Sequence, residues 1–576
     1  MGVNVIALVV LVVFYLAILV VGLVAAWKVK VKGKETGVTG GMETSLVAGR
    51  DLKTIVGIFT MIATTVGGGY INGTAESVAK DGIAWTLAPI GIFIGLNLGG
   101  AVYARRMRER EYLTMLDPFQ KHYGNTVTIL IYLASLMGDL LWSASILNAL
   151  GTTLSVIADI QLYVAVIMSG SVTIIYTMIG SMIAVAYTDI LQLFFILVGL
   201  VTCLPFIFTN DKIGDLGASK EIWIGKVDTS LWGIWVDLFI AMTLGTIPWQ
   251  SYFQRVLSVR TAFEAQILSF VGAFGAVVLV VPSVLIGIAG ASADWNSTSL
   301  GESPIGTNRS SLVLPLVIHE FTPFAVSVLG LGAISAAVMS SMDSAVLGTS
   351  SMFTHNIYRE MLRRKASKKE LKIIHVSAVI FFGCACMFIA LSSSVIYGMF
   401  ILAADFVFVI IFPQLTAILY VPHLTNTIGA VCGFVVGLLL RLGAGDDILR
   451  MPVWIYYPFY DEVLGQLFPF RTFAMLMSLF TVLIVTFLTR LEFVRRIFKK
   501  CENDSDEVEL TGHLMMNKTQ EESTDSRQEK AKFSRTILVE SPKQQDSGDH
   551  LTQRKRDAKT AEEDFVSNGT YKKIDT

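Results

Sequence analysis

An all-α integral membrane protein of about 13 transmembrane helices, followed by a disordered cytoplasmic tail, is the fold class this sequence predicts. Three observations predict it. The chain of 576 residues is 53% hydrophobic and only 16% charged, with a net charge of −1. Its mean hydropathy is +0.61, and its apolar residues fall in runs long enough to cross the hydrocarbon core. Two of those runs are interrupted by glycine, proline and polar residues, as expected of helices that line a solute path.

The first run, 3–27, lacks a preceding basic segment and ends in "WKVKVKGK" rather than at a small-residue cleavage site. It is expected to be a retained span, not a signal peptide. The run 52–79 is the first interrupted one, with Gly67, Gly68 and Gly69 in succession; glycine costs roughly 1 kcal/mol against alanine inside a helix, so unwinding is expected there. Apolar runs at 83–104, 127–157, 162–184 and 187–209 follow. The run 232–257 is the second interrupted one, at "LGTIPWQSYFQR" with Gly245 and Pro248, and 265–291, 323–345, 371–392, 396–421, 427–443 and 472–490 complete the set. Residues 1–490 are thus expected to form one membrane domain. Each interrupted helix opens a set of five spans, over about 52–209 and 232–421, which points to an inverted repeat around a central site.

Lysine and arginine mark the cytoplasmic side. "KVKVKGK", "RRMRER" at 105–110, "RRKASKK" at 363–369 and "RRIFKK" at 495–500 place the N-terminus outside and the C-terminus in the cytoplasm. Under that topology the sequons at Asn296 and Asn308 face outward and are expected to carry glycans, while those at Asn72, Asn503, Asn517 and Asn568 stay bare. Balanced charge and the lack of a basic, aromatic-interleaved soluble domain exclude nucleic acid as a partner. The five cysteines lie in or beside apolar runs or in the tail, so no disulfide framework is expected in the outer loops.

Residues 491–576 are polar and mixed in charge, a composition that cannot bury enough surface to offset chain entropy. The tail is read as regulatory. Its one apolar island, "RTILVE" with Ile537, Leu538 and Val539, is either a chance cluster or a dileucine-like endocytic signal that an adaptor would read.

Ionisable residues inside apolar runs are costly unless paired, hydrated or ion-bound. Asp139, Asp189, Asp237, Asp343, Asp405, Arg255 and Arg441 are of this kind. In "AAVMSSMDS", helical spacing puts Ala337, Ser340 and Ser341 on one face with Asp343 close by. Hydroxyls, a carbonyl and a carboxylate are hard donors suited to an alkali cation. Trp142 and Trp249 lie deep in their runs rather than at an interface; beside broken helices they make a candidate cage for a quaternary ammonium. No nucleophile with an oriented base, metal-ligand cluster or phosphate loop appears, so an enzyme is not expected.

The stretches "VGGGYINGTAE", "YLTMLDPFQ", "AYTDILQLF", "GTIPWQSYFQRVLS", "GLGAISAAVMSSMDSAVL" and "FPQL" resemble the sodium/solute symporter family, most closely its members that carry choline. The resemblance implies a leucine-transporter-type fold with a five-plus-five inverted repeat. It implies choline uptake across the plasma membrane, driven by sodium and dependent on chloride, supplying acetylcholine synthesis at presynaptic membranes and synaptic vesicles. Residue by residue, the carbonyls of Ala63 and Val66 with Ala337, Ser340 and Ser341 resemble the family's main sodium site, and Asp343 with Asp189 a second one. Trp142 and Trp249 match cage aromatics, and Asp237 an acidic position in a network above the cage. "RTILVE" is similar to a tail endocytosis motif of those members. Two positions depart from the pattern: Thr65 stands where choline carriers have a tryptophan, and Ile92 where they have an aromatic. The pocket therefore also admits the reading of another organic cation or small polar solute as cargo, and the scaffold that of an ion-gated sensor or channel.

Overall fold

The break in the first interrupted helix is short. In the computed structural model, which describes residues 46–491 except 180, 181, 307, 308 and 394, with scattered positions between 6 and 24, helix α1 (Thr54–Thr65) meets α2 (Gly68–Asp81) at 47°. Only Val66 and Gly67 leave the helix: Val66 has φ −88° and ψ 70°, and Gly67 is extended. Gly68 and Gly69 already belong to α2, so the expectation that all three glycines unwind holds for one of them. The other two serve close packing. A Cβ on Gly68 would lie 2.6 Å from the Ala149 Cβ and 2.8 Å from Val338, and one on Gly69 2.7 Å from the Ser145 hydroxyl. Helices approach this closely only where a side chain is absent.

The remaining long helices are α3 (Ile83–Glu109), α4 (Asn125–Ala158), α5 (Leu162–Ile179), α6 (Met182–Phe208), α7 (Trp232–Leu244) and the short α8 (Gln250–Val256). They continue with α9 (Ala262–Ser292), α10 (Phe324–Leu362), α11 (Lys368–Ser392), α12 (Ile396–Tyr420), α13 (Thr427–Gly443) and α14 (Phe470–Leu488). Among the described residues nine helices are long and apolar enough to cross a membrane, or ten if the bent α1–α2 pair is one span. The protein is a multi-pass, all-helical membrane protein. The number is below the expected 13 for two reasons. The run 3–27 lies largely outside the described residues, and Leu162–Met178 and Thr427–Gly443 are apolar but shorter; at 1.5 Å per residue, 17 residues reach about 26 Å. The tail, with Ile537, Leu538 and Val539, and the sequon at Asn308 also lie outside the described residues. Asn296 is exposed in a turn at Trp295–Ser297.

The helices α12, α10 and α4 form the centre, with 83%, 72% and 67% of their apolar windows buried, whereas α14 buries 28% of its window and leaves the rest exposed. Both α6 and α4 pack on α10, and α4 also packs on α12. The second break separates α7 from α8. Pro248 has no N–H to continue the ladder, Trp249 is extended, and its indole N–H donates to the Gly245 carbonyl at 2.6 Å. The loosened backbone is thereby held by a side chain that the break itself supplies.

Two polar networks pin the bundle. One surrounds the short helix Asp117–Tyr123 between α3 and α4. Asp117 accepts from the Leu113 amide at 2.7 Å and from the Asn356 side chain at 2.8 Å, with His355 3.6 Å away. This ties the loop to the end of α10. Burial alone would raise the Asp117 pKa, but His355, the Leu113 amide and Asn356 outweigh it and hold the carboxyl at about 2. A depressed carboxyl stabilises the fold fully above its unfolded pKa and loses that contribution as pH falls through the folded value. Asp117→Asn should therefore cost about 2 kcal/mol near pH 5, and converge with wild type as pH falls from about 4 towards 2. Thermal unfolding of the two proteins across that range checks it; a difference that does not shrink would refute the ionic account.

The other network is centred on Asp237, Asp405 and Arg441, which are fully buried. Asp237 on α7 accepts from the Arg471 amide at 3.0 Å and the Thr472 amide at 2.7 Å. The Arg471 and Arg441 Nε atoms each donate to the same Asp405 oxygen at 2.8 Å, and Arg441 reaches Asp446 at 2.8 Å. Helices α7, α12, α13 and α14 meet there.

Candidate functional site

The two breaks face one cavity with about 520 Å3 of empty space, part of it open to solvent. From α1 come Met61, Thr64 and Thr65; from α3, Ile92 and Leu96; from α4, Trp142. The second break adds Thr246, Trp249, Ser251 and Tyr252, and α12 adds Phe400 and Ala404. Trp142 and Trp249 meet edge to face, with centroids 4.8 Å apart at 76°. The sequence-predicted cage residues Thr65, Ile92, Trp142 and Trp249 are thus brought together. Asp237 is not. It does not line the cavity, and both its oxygens are engaged by the backbone of Arg471 and Thr472. Expected as an acidic position in a network near the cage, Asp237 does not contact the cavity itself and belongs to the ion network with Arg471 and Thr472.

Among the described residues no carboxylate lines this cavity, and its hydroxyls are largely engaged elsewhere. Thr65 donates to the Met61 carbonyl at 2.9 Å, Thr246 to the Thr243 carbonyl at 3.1 Å, and Tyr252 lies 2.9 Å from the Ser269 hydroxyl. What remains to meet a ligand is π surface and methyl groups. Such walls attract a poorly hydrated organic cation through ring quadrupoles, without an ion pair.

Behind α1 lies a polar cluster. Asp189 on α6, fully buried, accepts from the Thr60 hydroxyl and from the Ser340 hydroxyl at 2.5 Å. Arg255 stands 3.7 Å from it and donates to Ser344 at 2.5 Å, and Ser344 in turn lies 3.2 Å from the Thr64 hydroxyl. Ser341 points differently. Its hydroxyl donates to the Ala63 and Thr64 carbonyls at 3.2 Å each, the carbonyls that the end of α1 leaves without an amide partner. The two serines expected to act together on one face therefore serve different neighbours, because adjacent helical positions differ by about 100°. Ala337 is buried one turn before Ser341, and Val66 lies in the break itself. Asp343 accepts from Thr177 at 2.6 Å and makes no hydrogen bond with Asp189. Its second oxygen has no partner among the described residues, and neither has either amide atom of buried Gln192, one turn along α6 from Asp189.

Sequence reasoning missed Thr60, Thr64, Thr177, Gln192 and Ser344 as members of this cluster. Gln192 was the most legible, being a polar residue one helical turn from Asp189 in an apolar run. Phe400 and Tyr252 were illegible, since an aromatic in an apolar run reads as core. Glu76, in the same motif as the glycines, is buried and accepts the Tyr397 amide at 3.1 Å.

Residues 46–437 match the model of the sodium:solute symporter family. The chain is 46% identical over 517 residues to the high-affinity choline transporter 1 of Torpedo marmorata, covering 86% of this chain and 88% of that one. With the high affinity choline transporter 1 of Homo sapiens it shares 44% over 506 residues, covering 86% and 87%. Its fold is similar to that of a Na+-coupled sialic acid symporter in a substrate-bound outward-open state, with a TM-score of 0.67 at 17% identity, over 84% of this chain and 97% of that chain. With two broken helices around an aromatic cavity and these relatives, all named as carriers and none as an enzyme, the chain belongs to the sodium:solute symporter family of membrane transporters.

Proposed function

We propose that the protein takes up choline across the plasma membrane, coupled to sodium. The observation that carries this reading is the edge-on Trp142–Trp249 pair in a cavity without a carboxylate among its described residues, adjoining the hydroxyl and carboxylate cluster of Asp189, Ser340 and Ser341. The choline-carrying relatives support the same cargo. Sodium held between the α1 carbonyls, Ser341 and the Asp189 group would fix α1 against α10 and so complete the cavity wall that carries Thr64 and Thr65. Ion and substrate then favour the same conformation, which is what coupling requires. The five-plus-five repeat, chloride dependence, an outside N-terminus, glycans at Asn296 and Asn308, adaptor binding at Ile537, Leu538 and Val539, and supply of acetylcholine synthesis at nerve terminals complete the proposal.

Labelled choline uptake by cells expressing the chain tests it, with sodium or chloride replaced in turn. Uptake should fall to background without sodium and drop sharply without chloride; equal uptake with and without sodium would overturn the mechanism. Trp142→Ala should raise KM for choline roughly 2- to 30-fold, from about 0.5–2 kcal/mol of cation–π attraction, with less effect on maximal rate. A second reading, another organic cation as the preferred cargo, rests on Thr65 and Ile92 as aliphatic walls. The bond from Thr65 to the Met61 carbonyl argues against a polar solute, because the hydroxyl is already committed. Thr65→Trp should lower KM for choline by a similar factor, and competition by a panel of amines separates the two cargoes.

A further inference from the structure

A second cavity, of about 660 Å3, is lined by Ser77, Asp81, Trp85, Leu238, Tyr397 and Ile401. Its relation to the first is set by shared helices. Tyr397 and Ile401 precede Phe400 and Ala404 by about one turn of α12, roughly 5 Å of rise, so the two cavities are stacked along that helix. Ser77 and Asp81 share a face of α2 by their i, i+4 spacing, at the end of α2 remote from the break.

The chemistry of this cavity differs from that of the inner one. Its aromatic groups are fixed: the Trp85 indole N–H donates to the Lys226 carbonyl at 3.0 Å, and the Tyr397 hydroxyl accepts the Ala88 amide at 3.1 Å. Ser77 is engaged by Thr86 at 3.0 Å. Asp81 is exposed, and among the described residues no ion pair is formed with it. Lys80 beside it is also exposed, and Lys226 is paired with Glu221 at 3.1 Å. An exposed carboxylate beside two fixed rings attracts a cation from a distance and gives its apolar part a surface, while it repels anions.

We infer that the outer cavity is a second, weaker binding site for an organic ammonium, held by the Asp81 carboxylate between Trp85 and Tyr397, from which the cation passes to the inner cavity. This rests on the choline reading of the inner cavity. The division of labour follows from solvation. Asp81 captures the ion while it is still hydrated, so binding there is salt-sensitive and weak; the inner rings take it only once it has shed its water. Nothing in the outer cavity involves the Asp189 cluster, so binding there needs no sodium.

Equilibrium binding of labelled choline to the purified full chain, at low ionic strength in sodium or in potassium, tests the inference. Wild type should keep a weak component in potassium. Asp81→Asn should weaken that component at least fivefold while retaining the sodium-dependent one, which also reports that the variant is folded. Asp81→Glu should restore it, Trp85→Leu should reproduce the selective loss, and Trp142→Ala should leave it intact. Sodium-dependent binding with no potassium component, or a potassium component that Asp81→Asn does not change, overturns the outer site and leaves the choline reading standing. A potassium component abolished by Asp81→Asn in a chain with no sodium-dependent binding or uptake supports the outer site and overturns the transport reading. No choline binding in either medium overturns both.

Discussion

Ser340→Ala should raise the sodium concentration for half-maximal uptake by roughly tenfold or more, and Asp189→Asn should abolish sodium-driven uptake. The Ser340 hydroxyl donates to Asp189 at 2.5 Å inside a fully buried cluster, and a hydrogen bond to a charged group contributes about 1.5–3 kcal/mol. Its loss leaves the carboxylate with Thr60 and the more distant Arg255. A carboxylate deprived of one donor is less well oriented towards an ion beside it. Asp189→Asn removes the charge that both Arg255 and a cation require. Initial uptake rates against sodium concentration, with surface expression measured in parallel, check both variants. Unchanged sodium dependence in a well-expressed Ser340→Ala protein would remove Asp189 and Ser340 from the coupling site. Ser341→Ala is the companion measurement. It should also raise the sodium requirement, but through the α1 carbonyls and without touching Asp189.

Arg441→Ala should destabilise the protein by about 3–5 kcal/mol, the usual cost of removing one partner from a buried ion pair. Arg441 is fully buried and bonds Asp405 and Asp446 at 2.8 Å each. Without it Asp405 keeps only Arg471, which is shared with Asp237. Three carboxylates would then face a single guanidinium inside the bundle. Arg441→Lys should recover only part of the loss, since an ammonium cannot span two carboxylates in the fixed fork that a guanidinium offers. Thermal unfolding in detergent should place wild type, Arg441→Lys and Arg441→Ala in descending order. Equal stability of all three would mean that the charges are hydrated rather than paired. The same network explains why Asp237 matters without meeting substrate: it holds α7, and hence the start of the second break, against α14.

The membrane character of this chain was legible in its sequence, because length and hydropathy decide whether a helix can span a bilayer and both are local properties. The two breaks were legible for the same reason, glycine and proline acting on their own backbone. Polar residues in apolar runs also declared themselves, since each is expensive unless something satisfies it. Their partners were not legible. Ser340 and Ser341 look equivalent in the sequence, yet one faces Asp189 on α6 and the other the open end of α1, and only the packing of three helices decides which. Gly68 and Gly69 read as helix breakers but act as contact surfaces, because Ala149, Val338 and Ser145 approach from helices far away in the chain. Asp237 and Asp189 are alike as buried acids in apolar runs; the first is spent on Arg471 and Thr472, and the second stands beside the break. Residue identity and position were enough to say which side chains must be accounted for inside the membrane, since the cost of burying them is intrinsic to each one. The tertiary structure alone decided what accounts for each, since hydrogen-bond partners, ring faces and cavities exist only between helices.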